Sequence, residues 1–352
     1  LEAQQLKTIL AIRFSALGDV AMTIPVMKRV LEQHPDIQIV FVTNKNWGAL
    51  CKGVPRLIFY PADVKGVHKG FPGLFRLFRA IRKEYTISAV ADLHNVLRAK
   101  VVSTLFALSG KRVARIDKGR TEKKALTRQE DKILQPLMTT IERYAIVFRQ
   151  LGLPCDMSES KPLANRLPLS EEMLQLTGEK HADKWIGIAP FATYREKMYP
   201  LNRMEEVLGV LSRQPQHKVL LFGGGAAEVA QLSVWASQYP NTVLIAGKCK
   251  LESELHIISQ LEVMVSMDSA NMHLAALFGI PVVSVWGATH PYAGFMGYQQ
   301  SLADAVQVDD LSCRPCSVFG NKPCFRGDHA CMEWIPALNI ADKVLKRLET
   351  PI

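Results

Sequence analysis

Two short turns in this sequence carry the residue types that phosphate and sugar chemistry needs. Arg13-Phe14-Ser15-Ala16-Leu17-Gly18-Asp19 follows an apolar run near the start, and Met267-Asp268-Ser269-Ala270-Asn271-Met272-His273 follows another in the last third. Each leads into a helix-like stretch, which sets a carboxylate and free backbone N–H groups at the carboxyl edge of a parallel sheet. Gly18 permits close backbone approach, and Asp19 either acts as a base or caps the next helix. Thr23-Ile24-Pro25 favours the base, because Thr23 is a good cap and Pro25 is comfortable only in a first helical turn. The helix is then expected to begin there and leave Asp19 outside it. Asp268 could accept hydrogen bonds from sugar hydroxyls or cap its helix, and the amides of Ser269 and Ala270 suit a diphosphate. His273 lies on that helix, where a core histidine is the commoner outcome.

Three further groups qualify this picture. Phe222-Gly223-Gly224-Gly225-Ala226-Ala227-Glu228 is another strand-to-helix turn, but Glu228 stands where the dinucleotide fingerprint needs its third glycine, so an NAD-dependent enzyme is disfavoured. Lys197, in Arg195-Glu196-Lys197-Met198-Tyr199-Pro200, is either a phosphate partner or a surface lysine. Cys313, Cys316, Cys324 and Cys331 are either a structural zinc site or reduced thiols; the later spacings are looser than in ordinary zinc ribbons.

These turns need a scaffold, and 352 residues exceed the roughly 250–300 that one core usually holds. Strand candidates Thr8 to Phe14, Ile37 to Thr43, Leu57 to Tyr60, Ile87 to Leu93 and Arg112 to Ile116 alternate with helical stretches, and Ile141 to Leu151 closes the half. The pattern restarts with Trp185 to Pro190, Lys218 to Phe222, Thr242 to Ala246, Val263 to Met267 and Pro281 to Trp286. The expected fold is α/β, with two Rossmann-like doubly wound domains facing a cleft. Their expected bounds are 1–160 and 184–335, with a linker at 161–183 and a helix in 336–352 packing across the domains.

Apolar content of 48% with 22% charged residues is ordinary globular composition, which argues against disorder. No apolar stretch approaches a membrane span, and Leu1-Glu2-Ala3-Gln4-Gln5 lacks the features of a secretion signal, so a cytoplasmic location is expected. The net charge of +10 points to an anionic partner or, for any single cluster, to a solvated, solubilising face. Lys65, Lys69, Arg76, Arg79, Arg82 and Lys83 share a window without acids, and eleven cations face four acids between Arg98 and Lys132. No nucleic-acid-binding signature accompanies the charge, so nucleic acid is not expected. Phe71-Pro72-Gly73-Leu74-Phe75-Arg76-Leu77-Phe78-Arg79 is compatible with an anionic bilayer surface, although core burial of Phe75 and Phe78 is the simpler expectation.

The chain resembles glycosyltransferase family 9, the bacterial lipopolysaccharide heptosyltransferases, over nearly its whole length. The resemblance rests on Arg13 to Val20 with Pro25, on Glu196-Lys197-x-x-Pro200, and on Asp268 to Ala276 running into Gly279-Ile280-Pro281-Val282-Val283 and Gly287-Ala288-Thr289-x-Pro291. It implies a GT-B fold with acceptor on the first domain and ADP-heptose on the second. It further implies Asp19 as general base; Ser15, Gly18, Arg98 and Arg120 are expected toward the acceptor. Lys197, Thr193, Gly224, Glu228, Asp268, Ser269, Ala270 and His273 would then serve the donor. The reaction implied is an inverting displacement without cofactor or metal, onto an anionic lipid A and Kdo glycolipid, by a cytoplasmic enzyme peripheral to the inner membrane. The family usually has glycine at Ala270 and a different lead to the lysine than Phe191-Ala192-Thr193-Tyr194. A related nucleotide-sugar enzyme such as an epimerase, or a non-catalytic glycolipid binder, would share the same turns.

Overall fold

The structure, a computed structural model, describes residues 6–163 and 166–349, so the readings for residues 1–5, for 164–165 of the linker and for 350–352 of the last helix lie outside the described residues. The chain forms two compact units, one of Leu1–Gly119 with Met138–Leu163 and one of Arg120–Leu137 with Ala164–Ile352.

The first unit runs β1 (Lys7–Ile12), α1 (Leu17–Gln33), β2 (Ile37–Asn44), β3 (Leu57–Ala62), α2 (Gly70–Glu84), β4 (Ile87–Asp92), α3 (Leu97–Leu108) and β5 (Arg112–Arg115); after α4 (Arg120–Thr127), part of the second unit, it resumes with α5 (Thr140–Gln150). Its strands are parallel in the order β3-β2-β1-β4-β5. Strands covered by helices on both faces read as continuous apolar runs, as Ile9 to Ile12 and Ile39 to Val42 do. The strand order reverses between β1 and β4, and that is where such sheets bind ligands.

The second unit holds α4, α6 (Glu171–Thr177), β6 (Lys184–Ala189), α7 (Leu201–Ser212), β7 (His217–Leu221), α8 (Ala226–Gln238), β8 (Thr242–Leu244), α9 (Leu251–Ile258), β9 (Val263–Met267), α10 (Ala270–Leu277), β10 (Val282–Val285), β11 (Ala305–Val306), α11 (Ala330–Glu333) and α12 (Ala337–Glu349). Its parallel sheet, β11-β10-β9-β6-β7-β8, repeats the doubly wound order with its reversal between β6 and β9.

Several elements differ from the sequence expectation. Helix α1 begins at Leu17, before Thr23 and Pro25, and places Asp19 within its first turn. Residues from Val20 to Met27 are all buried, so packing outweighs the hydrogen bond that Pro25 cannot make, and Thr23 donates to the Val20 carbonyl instead. The segment 120–137, expected in the first domain, belongs to the second unit: Leu126 and Leu137 pack against Ala293, and the Leu137 amide donates to the Tyr292 carbonyl at 2.9 Å. The expected linker contains α6. The short strand β11 has no counterpart among the sequence candidates. Helix α12 buries Ile340, Ala341 and Val344 in the core of the second unit.

Candidate functional site

Each unit collects polar side chains at its strand-order reversal. In the first unit, the chain leaving β1 exposes Ser15, buries Gly18 and half-buries Asp19. Asp19 Oδ2 lies 2.6 Å from Arg13 Nη2 and accepts the Ala16 amide at 3.3 Å. Asp19 therefore does part of a cap's work, and what sets it apart is the arginine. Arg13 is itself buried; its Nη1 donates to the Leu93 carbonyl at 2.8 Å and its guanidinium lies 5.7 Å from the Tyr144 ring centroid. The carboxylate is thus tied to a cation that β1, the end of β4 and α5 hold in place.

Sequence reasoning missed the β4 end. Asp92 is fully buried and accepts the His94 and Asn95 amides at 3.1 and 2.7 Å and the Ser103 hydroxyl at 3.1 Å. His94 Nδ1 accepts the Phe14 amide at 3.3 Å, linking the two strand ends. Burial, reinforced by the charges of Arg13 and Lys118, pushes the His94 imidazole down to about 3, so it is a neutral acceptor. A strand ending in Asp-Leu-His-Asn was the available signal. Arg98 is exposed at the start of α3, close enough that its charge contributes to the His94 shift. Arg120, expected beside it, is exposed on α4 and belongs to the second unit. Lys123 and Lys132 of the same basic stretch are engaged there, Lys123 over the Phe295 ring at 4.2 Å and Lys132 donating to the Ser312 and Arg314 carbonyls.

In the second unit, Lys197 and Asp268 meet. Their Nζ and Oδ2 are 2.9 Å apart and both side chains are largely buried. Lys197 ends a short turn after β6, and Asp268 follows β9 directly, so the pairing of β6 with β9 brings them together. Ser269, not Asp268, is the N-cap residue of α10, and its hydroxyl contacts Ser266 Oγ at 3.2 Å rather than capping the helix. Ala270 opens α10, whose first-turn amides receive no side-chain cap, and His273 is buried one turn on. Glu228 reaches back to accept the Gly224 amide at 2.7 Å, closing the turn before α8. Thr193 is exposed in the loop before Lys197.

The wall behind Lys197 comes from residues the sequence left without a role. Buried Arg314 donates to the carbonyls of Gly287, Val308, Thr289 and Trp286 at 2.6 to 3.2 Å and so fixes the loop after β10. In that loop the Ala288 amide donates to the Glu196 carbonyl at 3.1 Å, and the amides of Cys316 and Ser317 donate to the Ala288 carbonyl. Gly320, with a φ of +72°, lies against the Lys197 stem, where a β-carbon would collide with it. Cys313, Cys316, Cys324 and Cys331 line one small hollow beside Arg314 and Ala288. They are free thiols, and burial pushes Cys331 up to about 12. Among the described residues no group of three or more His, Cys, Asp or Glu is placed to hold a metal ion. Also among them, no helix is long and apolar enough to cross a membrane.

The profile of glycosyltransferase family 9 (heptosyltransferase) matches residues 74–322 of this chain. The lipopolysaccharide core heptosyltransferase OpsX of Haemophilus influenzae is 22% identical over 299 residues, which cover 81% of this chain and 80% of that protein. A glycosyl transferase family 9 structure from Veillonella parvula superposes with a TM-score of 0.76 at 19% identity, covering 98% of each chain. The E. coli heptosyltransferase WaaC with ADP gives a TM-score of 0.67 at 16% identity, covering 97% of this chain and 99% of that one. At these identities the structural likeness bears on the fold, which is GT-B.

Proposed function

This chain belongs to glycosyltransferase family 9, the heptosyltransferase family, and on that premise we propose that it transfers a heptose, or a related sugar, from an ADP-sugar to a lipopolysaccharide core or lipid A–Kdo acceptor. The observation that carries the donor half is the Lys197–Asp268 pair beside the uncapped start of α10. A cation and open helix amides suit a diphosphate, and a carboxylate held by that cation suits sugar hydroxyls. The acceptor half rests on Asp19, which Arg13 orients.

In the proposed reaction Asp19 takes the proton from an acceptor hydroxyl as its oxygen bonds to the anomeric carbon. The bond from that carbon to the diphosphate breaks with inversion. The electron pair leaves on ADP, whose growing charge is met by Lys197 and the α10 amides. The scheme gives the diphosphate charge to these groups rather than to a divalent cation, and turnover is expected to survive a chelator. A glycolipid acceptor places the enzyme at the cytoplasmic face of the inner membrane.

The test is Asp19→Asn. The variant is expected to bind ADP as the parent does and to lose transfer by about 10²- to 10⁴-fold, the usual worth of a general base. Parental turnover by the variant would remove Asp19 from this role.

A further inference from the structure

The first unit carries a surface that the transfer chemistry leaves unused. Helix α2 buries Gly73, Leu74, Leu77, Phe78 and Ile81 against its own core. Phe71 and Phe75 point outward, 62% and 40% exposed, with their rings stacked at 6.4 Å. At 100° per residue, Arg82 has the azimuth of these two phenylalanines about two turns further along the helix, and Arg79, Lys83 and Arg76 follow around the same exposed side. The preceding loop adds exposed Lys65, Lys69 and Val67. No acid occurs from 65 to 83. The flanking acids are Asp63, paired with Lys45 at 2.8 Å, and Glu84 at the helix end. Helix α3, which meets α2 through the Phe78–Phe106 contact at 4.8 Å, contributes Arg98 and Lys100 and no acid.

We propose that the outer face of α2 and the loop before it form the surface by which this protein docks on an anionic phospholipid bilayer. Two exposed aromatic rings with flanking long-stemmed cations match the acyl boundary and the charged headgroups of such a surface together. A nucleic acid would engage the cations but would leave the adjacent phenylalanines in search of unstacked bases. The proposal deepens the transfer reading by giving a lipid-anchored acceptor a docking surface, and depends on that reading only for the acceptor.

The experiment is co-sedimentation of the full chain with phosphatidylcholine vesicles, with and without phosphatidylglycerol. Binding is expected only to the anionic vesicles and to weaken with salt. Arg79→Gln/Arg82→Gln is expected to weaken it about 25-fold, from roughly fivefold per cation. Phe71→Ser/Phe75→Ser is expected to weaken it about tenfold or more with melting temperature unchanged. Phe71→Trp gives an independent readout, emission quenched by brominated acyl chains. Equal binding to both vesicle types, parental binding by both double variants, or tighter binding of a single-stranded RNA through the same residues would overturn the proposal. Transfer to a water-soluble, deacylated acceptor is expected to be unchanged in the double variants. Loss of transfer with vesicle binding intact in Asp19→Asn bears on the catalytic reading alone.

Discussion

Asp19 and Lys197 owe their placement to the partner each has, and the partners are what mutation should expose. Lys197→Ala removes a charge-assisted contact and is expected to weaken ADP binding about 10- to 100-fold by calorimetry. Because Lys197 and Asp268 are 2.9 Å apart, Asp268→Ala should not add independently to it. Strict additivity in a double-mutant cycle would show that the pair does not act as a unit in donor binding. His94 predicts a pH effect. Its ordinary value is 6.5 and burial lowers it to about 3, so between these values the unfolded chain binds the proton that the folded chain refuses. The stability this contributes is complete above 6.5 and is lost progressively as pH falls toward 3. His94→Gln is expected to flatten the acid side of the melting temperature against pH curve, leaving the part due to His290, which burial lowers to about 4. Parallel curves would reject the assignment.

At the scale of elements, the second site depends on a loop and a wall that make no direct chemistry. Arg314→Met would leave the carbonyls of the loop after β10 without their buried donor, at a cost of about 2–4 kcal/mol measurable by urea unfolding. Gly320→Ala asks an alanine to adopt a φ of +72° and to displace the Lys197 stem, so it should raise the dissociation constant for ADP as well as lower stability. Unchanged ADP affinity in that variant would mean the wall does not position Lys197. The strands were legible because residues buried on both faces must form continuous apolar runs, as β1, β2, β6 and β9 do. The start of α1 was not. Pro25 costs roughly 3 kcal/mol inside a helix, while burying Val20, Met22, Ile24, Val26 and Met27 contributes about 1.5–3 kcal/mol each, and a cap rule read along the chain does not weigh the second against the first.

For the whole molecule, a net charge of +10 should make association with the proposed anionic acceptor sensitive to screening. The KM for the acceptor is expected to climb with added salt more steeply than the KM for the donor; equal slopes would remove the charge from acceptor recognition. The basic composition did not show how that charge is used: Lys123 and Lys132 serve the packing of the second unit, whereas Arg79 and Arg82 remain exposed. By itself the sequence determined two doubly wound sheets and the turns that follow β1, β6 and β9, because strand burial and turn chemistry are written in neighbouring residues. Tertiary structure alone decided that Lys197 faces Asp268, that Arg13 is pinned to the end of β4, and that 120–137 joins the second unit. The first two follow from which strands lie side by side and the third from the packing of Leu126 and Leu137 on Ala293, long-range choices that local periodicity does not encode.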